Sequence, residues 1–325
     1  MKYPLYSDVS FCLQWINVAD IQHRRPLEEV ADWREPHLFG PHQPKSIPTM
    51  ELPPQLNLLR PLLLLAYSAS YIPITILRLI TSSPSKLLSW SSFQHAWFGN
   101  FWSWFGGVSR ESAAATISPL VRANVHGVVL DIGPGSGEWV YLYAATANKV
   151  TKVYGVEPNP EHHAALKRRV EAAGLKGIYE ILPVGAQDLG TVGLEKESID
   201  TIVTLQTLCS CPGPQDIIKS LYPYLKKGGM WVVYEHVKTK YQGDFVGYWQ
   251  REFDFPLLCL PVLTCFLALV NLVWPTFFDG CDITRPTDKW LREAGDWEEI
   301  SLRAGEGEGP YDTIPHSLGT LIKRR

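Results

Sequence analysis

The sequence predicts an α/β fold, a doubly wound and mostly parallel sheet of seven strands with helices on both faces. Three observations predict it. From about residue 128 onward, short apolar runs alternate with segments of helical character. The first of these runs leads into a glycine-rich turn, which is typical of a strand that gives way to a helix beside a bound cofactor. Two further β-prone runs lie near the C-terminus and complete the predicted sheet.

The first predicted strand covers residues 128–132 and is followed by a turn with glycine at every second position. The turn consists of Gly133, Pro134, Gly135, Ser136 and Gly137. Its glycines lack the Cβ atoms that would keep a ligand away from the backbone, and the helix that begins near Gly137 offers unpaired N–H groups. A dinucleotide fingerprint needs a third glycine where this chain has Glu138, so a dinucleotide is disfavoured. An ordinary strand-to-helix turn is the alternative interpretation.

The next segments continue the alternation of strands and helices. A second strand over residues 153–157 ends at Glu157, and Asn159 as N-cap with Pro160 behind it predicts a helix over 161–173. The later elements are predicted as strands over residues 178–182, 198–205 and 230–236 and as a helix over 214–225. The Lys-Lys-Gly-Gly run at 226–229 is expected to end that helix.

The last two strands are predicted over residues 297–303 and 317–323. Between the fifth strand and these two lies an apolar run, residues 255–278, that is long enough to cross a bilayer. A single crossing would separate the last two strands from the rest of the sheet. We therefore expect an interfacial helix or a lid over the substrate pocket, with a buried helix of a capping subdomain as the alternative.

The chain is divided into three predicted parts. Residues 1–49 are proline-rich and predict a flexible tail, and the change of composition there suggests Met50 as an alternative start. Residues 50–110 are predicted to associate with membrane lipids. Residues 111–325 are predicted to form the catalytic domain, with an apolar insertion at 244–293.

The apolar stretch at residues 56–80 and the aromatic run at 90–105 carry the membrane prediction. The first is long enough to span a bilayer, although Pro61 and Pro73 also allow a bent, half-inserted hairpin. Many rings in a short segment suit a membrane interface. A buried pair of helices packed on the catalytic domain is the alternative.

Composition excludes several classes of function. A formal net charge of −3 provides no basic surface of the kind that nucleic acid requires, so no nucleic-acid partner is expected. The basic run at residues 167–169 is interpreted as a solvated helix face. The six cysteines lack the C-x-x-C spacing of a zinc site and the density of a disulfide scaffold, so no metal is predicted. The domain is expected to be reduced and to face the cytosol.

The order D-x-G-x-G-x-G from Asp131 onward resembles motif I of the class I S-adenosylmethionine-dependent methyltransferases, a Rossmann-like group. The resemblance implies S-adenosyl-L-methionine as cofactor, with Asp131 near its methionine end, Glu157 on the ribose hydroxyls, and residues 185–188 near adenine. The cofactor-binding residues that it implies are Asp131, Gly133, Pro134, Gly135, Ser136, Gly137, Glu157, Pro158, Asn159, Ala186, Gln187 and Leu205.

Four further blocks resemble the methyltransferase-like 7 group. They are Leu208-Cys209-Ser210-Cys211, Glu235-His236-Val237, Trp249-Gln250 and the run Phe278-Asp279-Gly280-Cys281-Asp282-Ile283-Thr284-Arg285. Members of this group are thiol S-methyltransferases with an N-terminal hydrophobic anchor in the endoplasmic reticulum and lipid droplets, which implies a location on the cytosolic face of those membranes. This chain departs from the group in three respects: a glutamate at 157 where aspartate is more usual, the extra tail, and a longer apolar insertion.

A small lipophilic acceptor, most simply a thiol, is the predicted substrate. A thiol with a pKa near 8.5 ionises more readily than a phenol near 10, so a pocket without a strong base suits sulfur. Pocket residues are expected at the carboxyl ends of the fourth and fifth strands and in the last block, namely Cys209, Glu235, His236, Asp279 and Asp282. We expect His236 or Asp279 to orient or deprotonate the acceptor, and the cysteines to be fillers. The alternatives are an O-methyltransferase of a secondary metabolite, a lipid N-methyltransferase, and a non-catalytic membrane or lipid-droplet protein.

Overall fold

A computed structural model describes residues 59–146, 149–240, 270, 272–309 and 312–325. The predicted tail at 1–49, the suggested start at Met50, the Trp249-Gln250 block and most of the apolar run at 255–278 lie outside these residues. The expectations attached to them, including the division into three parts, stay predictions.

A seven-stranded sheet forms the centre of the described structure. Its strands, in chain order, are β1 (Gly127–Ile132), β2 (Val150–Val156), β3 (Tyr179–Leu182), β4 (Ile199–Leu205), β5 (Leu225–His236), β6 (Trp297–Ala304) and β7 (His316–Lys323). They lie in the order β3-β2-β1-β4-β5-β7-β6. The first five pair in parallel, whereas β7 runs antiparallel to both β5 and β6. The predicted fold class, a doubly wound and mostly parallel α/β sheet, is confirmed.

Besides the helical residues 272–277, seven α-helices accompany the sheet in the part of the chain that the structure describes. They are α1 (Arg60–Ser70), α2 (Ile72–Ser82), α3 (Trp90–Asn124), α4 (Tyr141–Ala145), α5 (Pro160–Ala172), α6 (Pro214–Leu221) and α7 (Thr287–Arg292). The Asn159 side chain accepts a hydrogen bond from the Glu161 N–H at 3.0 Å, which caps α5 as predicted. The predicted boundary between residues 110 and 111 falls inside α3.

The helix predicted over 214–225 is too long, and the fifth strand begins earlier than predicted. The helix ends at Leu221, a single 3₁₀ turn follows at Tyr222–Tyr224, and β5 starts at Leu225. Pro223 explains the difference, because proline lacks the N–H that would continue the helix and disfavours helical geometry in the residue before it. The lysines and glycines at 226–229 therefore belong to a strand and do not end the helix.

The two faces of the sheet bury separate apolar cores. Side chains alternate along a strand, so the fully buried Leu130 faces the core that includes α6 and α7, whereas Val129 faces the core of α3, α4 and α5. Packing on both faces of the sheet therefore holds the ends of its strands in place. The loops at the carboxyl edge of the sheet are free to build a site.

The helices before the sheet pack on one another, and α3 also packs on the sheet. Residues Arg60–Ser82 form one apolar stretch of 23 residues, broken by a turn at Tyr71, that is long and apolar enough to cross a membrane. The indole N–H of Trp97 donates to the Ser68 carbonyl at 2.8 Å, and Phe101 is fully buried. The aromatic run on α3 thus packs partly inward, as in the alternative interpretation, while Trp90 stays exposed.

Candidate active site

The glycine-rich turn lies where the strand order reverses, between β1 and β4, and this is where open α/β sheets bind their ligands. Gly133 has a φ of +63°, and a Cβ built on it would lie 2.3 Å from the Cγ2 of Thr207. Its N–H donates to the Val156 carbonyl at 2.9 Å, which ties the turn to the end of β2. Only glycine fits this position, so the turn approaches β4 and β2 more closely than another residue would allow.

The Glu157 carboxylate connects the turn to the loop that follows β2. It accepts the Gly135 N–H and the Asn159 N–H, each at 2.8 Å. Burial raises the pKa of Glu157 to about 7, although both backbone hydrogen bonds act in the opposite direction. Glu157 therefore titrates near neutral pH, and its carboxylate borders the cavity described next.

A large cavity of about 1620 Å³ opens above the carboxyl edge of the sheet. Ten of the predicted cofactor-binding residues line it: Asp131, Gly133, Pro134, Gly135, Glu157, Pro158, Asn159, Ala186, Gln187 and Leu205. Ser136 and Gly137 are not among the lining residues. The Ser136 hydroxyl instead donates to Glu138 at 3.0 Å, and a Cβ on Gly137 would lie 2.9 Å from Leu166, which shows how closely the turn packs on α5.

Asp131 lies at the bottom of this cavity, near the end of β1. It is buried, and its carboxylate accepts the hydroxyl hydrogen of Tyr179 at 2.8 Å. Burial raises the pKa of Asp131 to about 6, with the Tyr179 hydrogen bond acting against that rise. The acid is thus held in place by its neighbour on β3.

The Glu138 side chain forms an ion pair with Arg169 of α5. Arg169 also donates to the Ser136 carbonyl at 2.7 Å. These two contacts connect the glycine-rich turn to α5. The interpretation of residues 167–169 as a purely solvated face is wrong for Arg169. Because this cation compensates Glu138, the case against a dinucleotide rests on the missing third glycine and not on negative charge.

His236, at the end of β5, lines the cavity and is half-buried. Its Nε2 lies 3.4 Å from the side-chain nitrogen of Gln206, and its Nδ1 lies 3.8 Å from the Cys281 sulfur. One ring nitrogen therefore contacts an amide and the other a thiol.

Asp279, the second predicted catalytic residue, borders the same cavity but has different partners. Its carboxylate lies 3.0 Å from Nδ1 of His95 and accepts a 3.4 Å hydrogen bond from the Asn159 side chain. The hydrogen bond with Asp279 raises the pKa of His95. No hydrogen bond joins Asp279 to His236 in the described residues, and the two have different partners along the cavity.

A pair that the sequence did not reveal lies beside His236. The Nδ1 of His316, at the start of β7, is 2.6 Å from Oε1 of Glu308, and the two imidazole rings of His236 and His316 are 4.7 Å apart. Burial lowers the pKa of His316 to about 4, so the ring is neutral at pH 7. The pairing depends on how a loop folds back on the sheet, and neither motif nor spacing indicates it.

Two of the predicted pocket residues, Glu235 and Asp282, accept hydrogen bonds that hold nearby loops in place. Glu235 is fully buried and accepts the backbone N–H groups of Thr207 and Leu208 at 3.1 and 3.0 Å, which fixes the loop after β4. Asp282 accepts the N–H and the hydroxyl hydrogen of Thr284 at 2.8 and 2.6 Å. Neither lines the cavity, whereas Cys209 and Cys281 do.

The wall opposite the sheet is aromatic and comes from α1, the turn at Tyr71 and α3. Tyr67, Tyr71, Phe98, Trp102 and Phe105 line the cavity and contact one another or the buried Phe101 ring. A Cβ on Gly135 would lie 3.1 Å from the Trp102 ring nitrogen, so this wall reaches the glycine turn. The cavity thus joins a polar, backbone-rich end to an apolar one.

Comparisons with known proteins agree with this geometry. The sequence model of a family described as "Methyltransferase domain" matches residues 130–233. The chain is 27% identical over 197 residues to thiol S-methyltransferase TMT1B of Rattus norvegicus, covering 60% of this chain and 70% of that protein. It is 26% identical over 210 residues to TMT1B of Homo sapiens, covering 64% and 75%. A phosphatidylethanolamine N-methyltransferase of Cereibacter sphaeroides is 28% identical over 124 residues, covering 37% and 58%.

Proposed function

We propose that this S-adenosylmethionine-dependent methyltransferase transfers the methyl group to a small lipophilic thiol at a membrane surface. The observation that carries the proposal is the single cavity in which the glycine turn and Glu157 face an aromatic wall from α1 and α3. The polar end suits a nucleoside with an amino-acid tail, and the apolar end suits a lipophilic acceptor.

The residues at the polar end fit the donor. The Glu157 carboxylate would accept the ribose hydroxyls, Ala186 and Gln187 would border adenine, and Asp131 would lie near the methionine end. The bound donor supplies an electrophilic methyl group on a sulfonium. The protein's contribution is to hold the acceptor in line with that methyl group, and positioning of this kind lowers a barrier by about 7 to 11 kcal/mol.

The weak basicity of His316 favours a thiol over a phenol as its partner. His316 is neutral, but a base whose pKa is about 4 takes a proton from a phenol near pH 7 very poorly. We propose that His236 orients the acceptor. We also propose that Asp279 holds His95 and Asn159 in place where the donor meets the acceptor. The names of the TMT1B relatives support the thiol.

A panel of thiol, phenol and amine acceptors of similar apolar size tests the substrate class. At pH 7 we expect thiol turnover to exceed phenol turnover by at least about 10-fold, since the difference in acceptor pKa alone changes the ionised fraction by roughly 30-fold. The methylated products are measured by mass spectrometry. The Asp279→Asn variant, run on the same panel, should lose turnover if the proposed role is right.

Each other outcome selects an alternative. Turnover confined to phenols would contradict the thiol and indicate an O-methyltransferase. Turnover confined to amines or to lipid headgroups would indicate an N-methyltransferase, a possibility to which the Cereibacter relative lends support. Calorimetric binding of S-adenosylhomocysteine without transfer to any acceptor would indicate a non-catalytic protein.

We propose that the outer side of α1 and α2 and the start of α3 lie on the membrane without crossing it. Thr75 and Leu79 of α2 are buried, and the Asn100 side chain of α3 donates to the Thr75 hydroxyl at 3.1 Å. Leu77, Leu88 and Trp90 point outward, and Leu88 is 91% exposed. A stretch with one packed side and one apolar outer side suits an interfacial location. The resemblance described above would place it on the cytosolic face of the endoplasmic reticulum or on lipid droplets.

Flotation with liposomes tests this surface. We expect the full chain to float with the vesicles, and the double variant Leu77→Asp, Leu88→Asp to lose most of that binding, because two charges would enter the apolar interface. The matched control changes Val192 and Ile300, which are exposed to a similar degree to one another and lie on other elements, to aspartate. Equal flotation of both variants would contradict the proposed surface.

A further inference from the structure

Two cysteines and a histidine converge at the apolar end of the cavity. The sulfurs of Cys209 and Cys281 lie 3.3 Å apart, and the Cys281 sulfur lies 3.8 Å from Nδ1 of His236. All three ligand atoms lie within 4.8 Å of one another. The residues come from the loop after β4, the end of β5 and the turn after residues 272–277, so only the fold brings them together.

This spacing fits a tetrahedral metal site. Zn–S bonds of about 2.3 Å and Zn–N bonds of about 2.0 Å place neighbouring ligand atoms roughly 3.5 to 3.8 Å apart. The Cys209–Cys281 and Cys281–His236 distances lie within about half an ångström of these values, and the Cys209 and His236 ligand atoms lie within 4.8 Å of each other. Two sulfurs and one imidazole are soft or borderline ligands, which favours Zn²⁺ over Mg²⁺ or Ca²⁺.

A hydrogen bond from a neighbouring tryptophan supports a metal site at these residues. The indole N–H of Trp274 donates to the Cys281 sulfur at 3.4 Å, a contact that favours a negatively charged sulfur.

We propose that Cys209, His236 and Cys281 bind Zn²⁺ and leave a fourth position that takes the sulfur of the acceptor thiol. All three residues line the cavity, so the open position faces the space in which the acceptor binds. Three protein ligands with one exchangeable position are the pattern of catalytic zinc. The role in acceptor binding rests on the proposed function, whereas the metal site itself does not.

The chemistry of this site balances without a further reactant. The acceptor thiol releases its proton to water when its sulfur binds zinc as a thiolate. An electron pair of that sulfur forms the new bond to the methyl carbon, and the pair of the broken methyl–sulfonium bond stays on the donor sulfur. The products are a methyl thioether and S-adenosylhomocysteine, and the zinc ion keeps its charge. The metal thereby replaces the strong base that the cavity lacks.

Metal analysis of the reduced full-length chain tests the site. After loading with Zn²⁺ and removal of excess metal, we expect about one zinc per chain by plasma mass spectrometry. The Cys209→Ser and Cys281→Ser variants should lose that metal, while Cys211→Ser should keep it. Cys211 is the matched control, since it lies in the same loop and lines the cavity but is outside the cluster. Loading with Co²⁺ should produce thiolate-to-metal absorption that grows when a small thiol is added.

The outcomes separate the two proposals. No bound metal in the wild-type chain, or equal zinc in all variants, would overturn the site, and so would a metal-free chain with a Cys209–Cys281 disulfide. One zinc that depends on both cysteines supports it even if the panel shows methylation of phenols alone. In that case the metal site stands and the thiol assignment fails.

Discussion

Replacing Glu157 with alanine should weaken the binding of S-adenosylhomocysteine by about 100-fold and remove methyl transfer at micromolar donor. The ribose hydroxyls would lose hydrogen bonds to a carboxylate, which contribute about 1.5 to 3 kcal/mol each. The Gly135 N–H and the Asn159 N–H would lose their acceptor as well, so the turn would no longer be tied to the loop after β2. Isothermal calorimetry measures the affinity.

The pH dependence of binding shows whether the carboxylate itself is responsible. Because burial raises the pKa of Glu157 to about 7, the carboxylate gains its full charge only as the pH rises through that value. Affinity should therefore increase from pH 6 to pH 8 in the wild-type chain, and Glu157→Gln should flatten the profile. The Asp131→Asn variant is the control for the second acid, whose pKa is about 6. Wild-type affinity in Glu157→Ala would show that the donor binds elsewhere.

The second large effect concerns stability. Gly319, in the middle of β7, pairs with Val233 on one side and Leu302 on the other. Its φ is +140°, and a Cβ there would lie 1.9 Å from the Ser301 carbonyl oxygen. Backbone cannot move aside as a flexible side chain can, so Gly319→Ala should lower the free energy of unfolding by about 3 kcal/mol or more.

Gly307→Ala is the matched control for this change. Gly307 has a φ of +77° and open space around its Cβ position, so alanine there costs only the left-handed strain of about 1 to 2 kcal/mol. Thermal unfolding followed by circular dichroism gives both values. If the two variants unfold at the same temperature, the hairpin of β6 and β7 tolerates the clash and the prediction fails.

The sheet could be predicted because its signals are local. Apolar runs, the Asn159 cap and the glycine turn each act within a few residues, and the strands and α5 followed from them. The error at the end of α6 has a local cause as well. Pro223 sits in the predicted helix, and the following lysines and glycines resemble a helix end but pair as the start of β5.

Only those site residues that belong to one local sequence motif could be predicted. Asp131, Gly133, Gly135 and Glu157 belong to the turn and to the end of the neighbouring strand, and the structure places all four along the cavity. Arg169 lies on a helix, Glu308 lies in a loop and His316 begins β7, and the sequence does not reveal that they meet near the site. The same holds for Cys209 and Cys281, which are 72 residues apart and meet only after the sheet has formed.

The aromatic wall has a practical consequence for anyone who wishes to shorten the chain. Deleting everything before residue 111 looks like the removal of a detachable anchor, but α1 and α3 contribute Tyr67, Trp102 and Phe105 to the cavity. Such a truncation would open the cavity to water, and by removing Phe101 it would expose the buried residues of the same cluster, such as Cys209 and Phe278. Solubility is better sought by point changes on the outer surface, at residues such as Leu77 and Leu88, with both helices left in place.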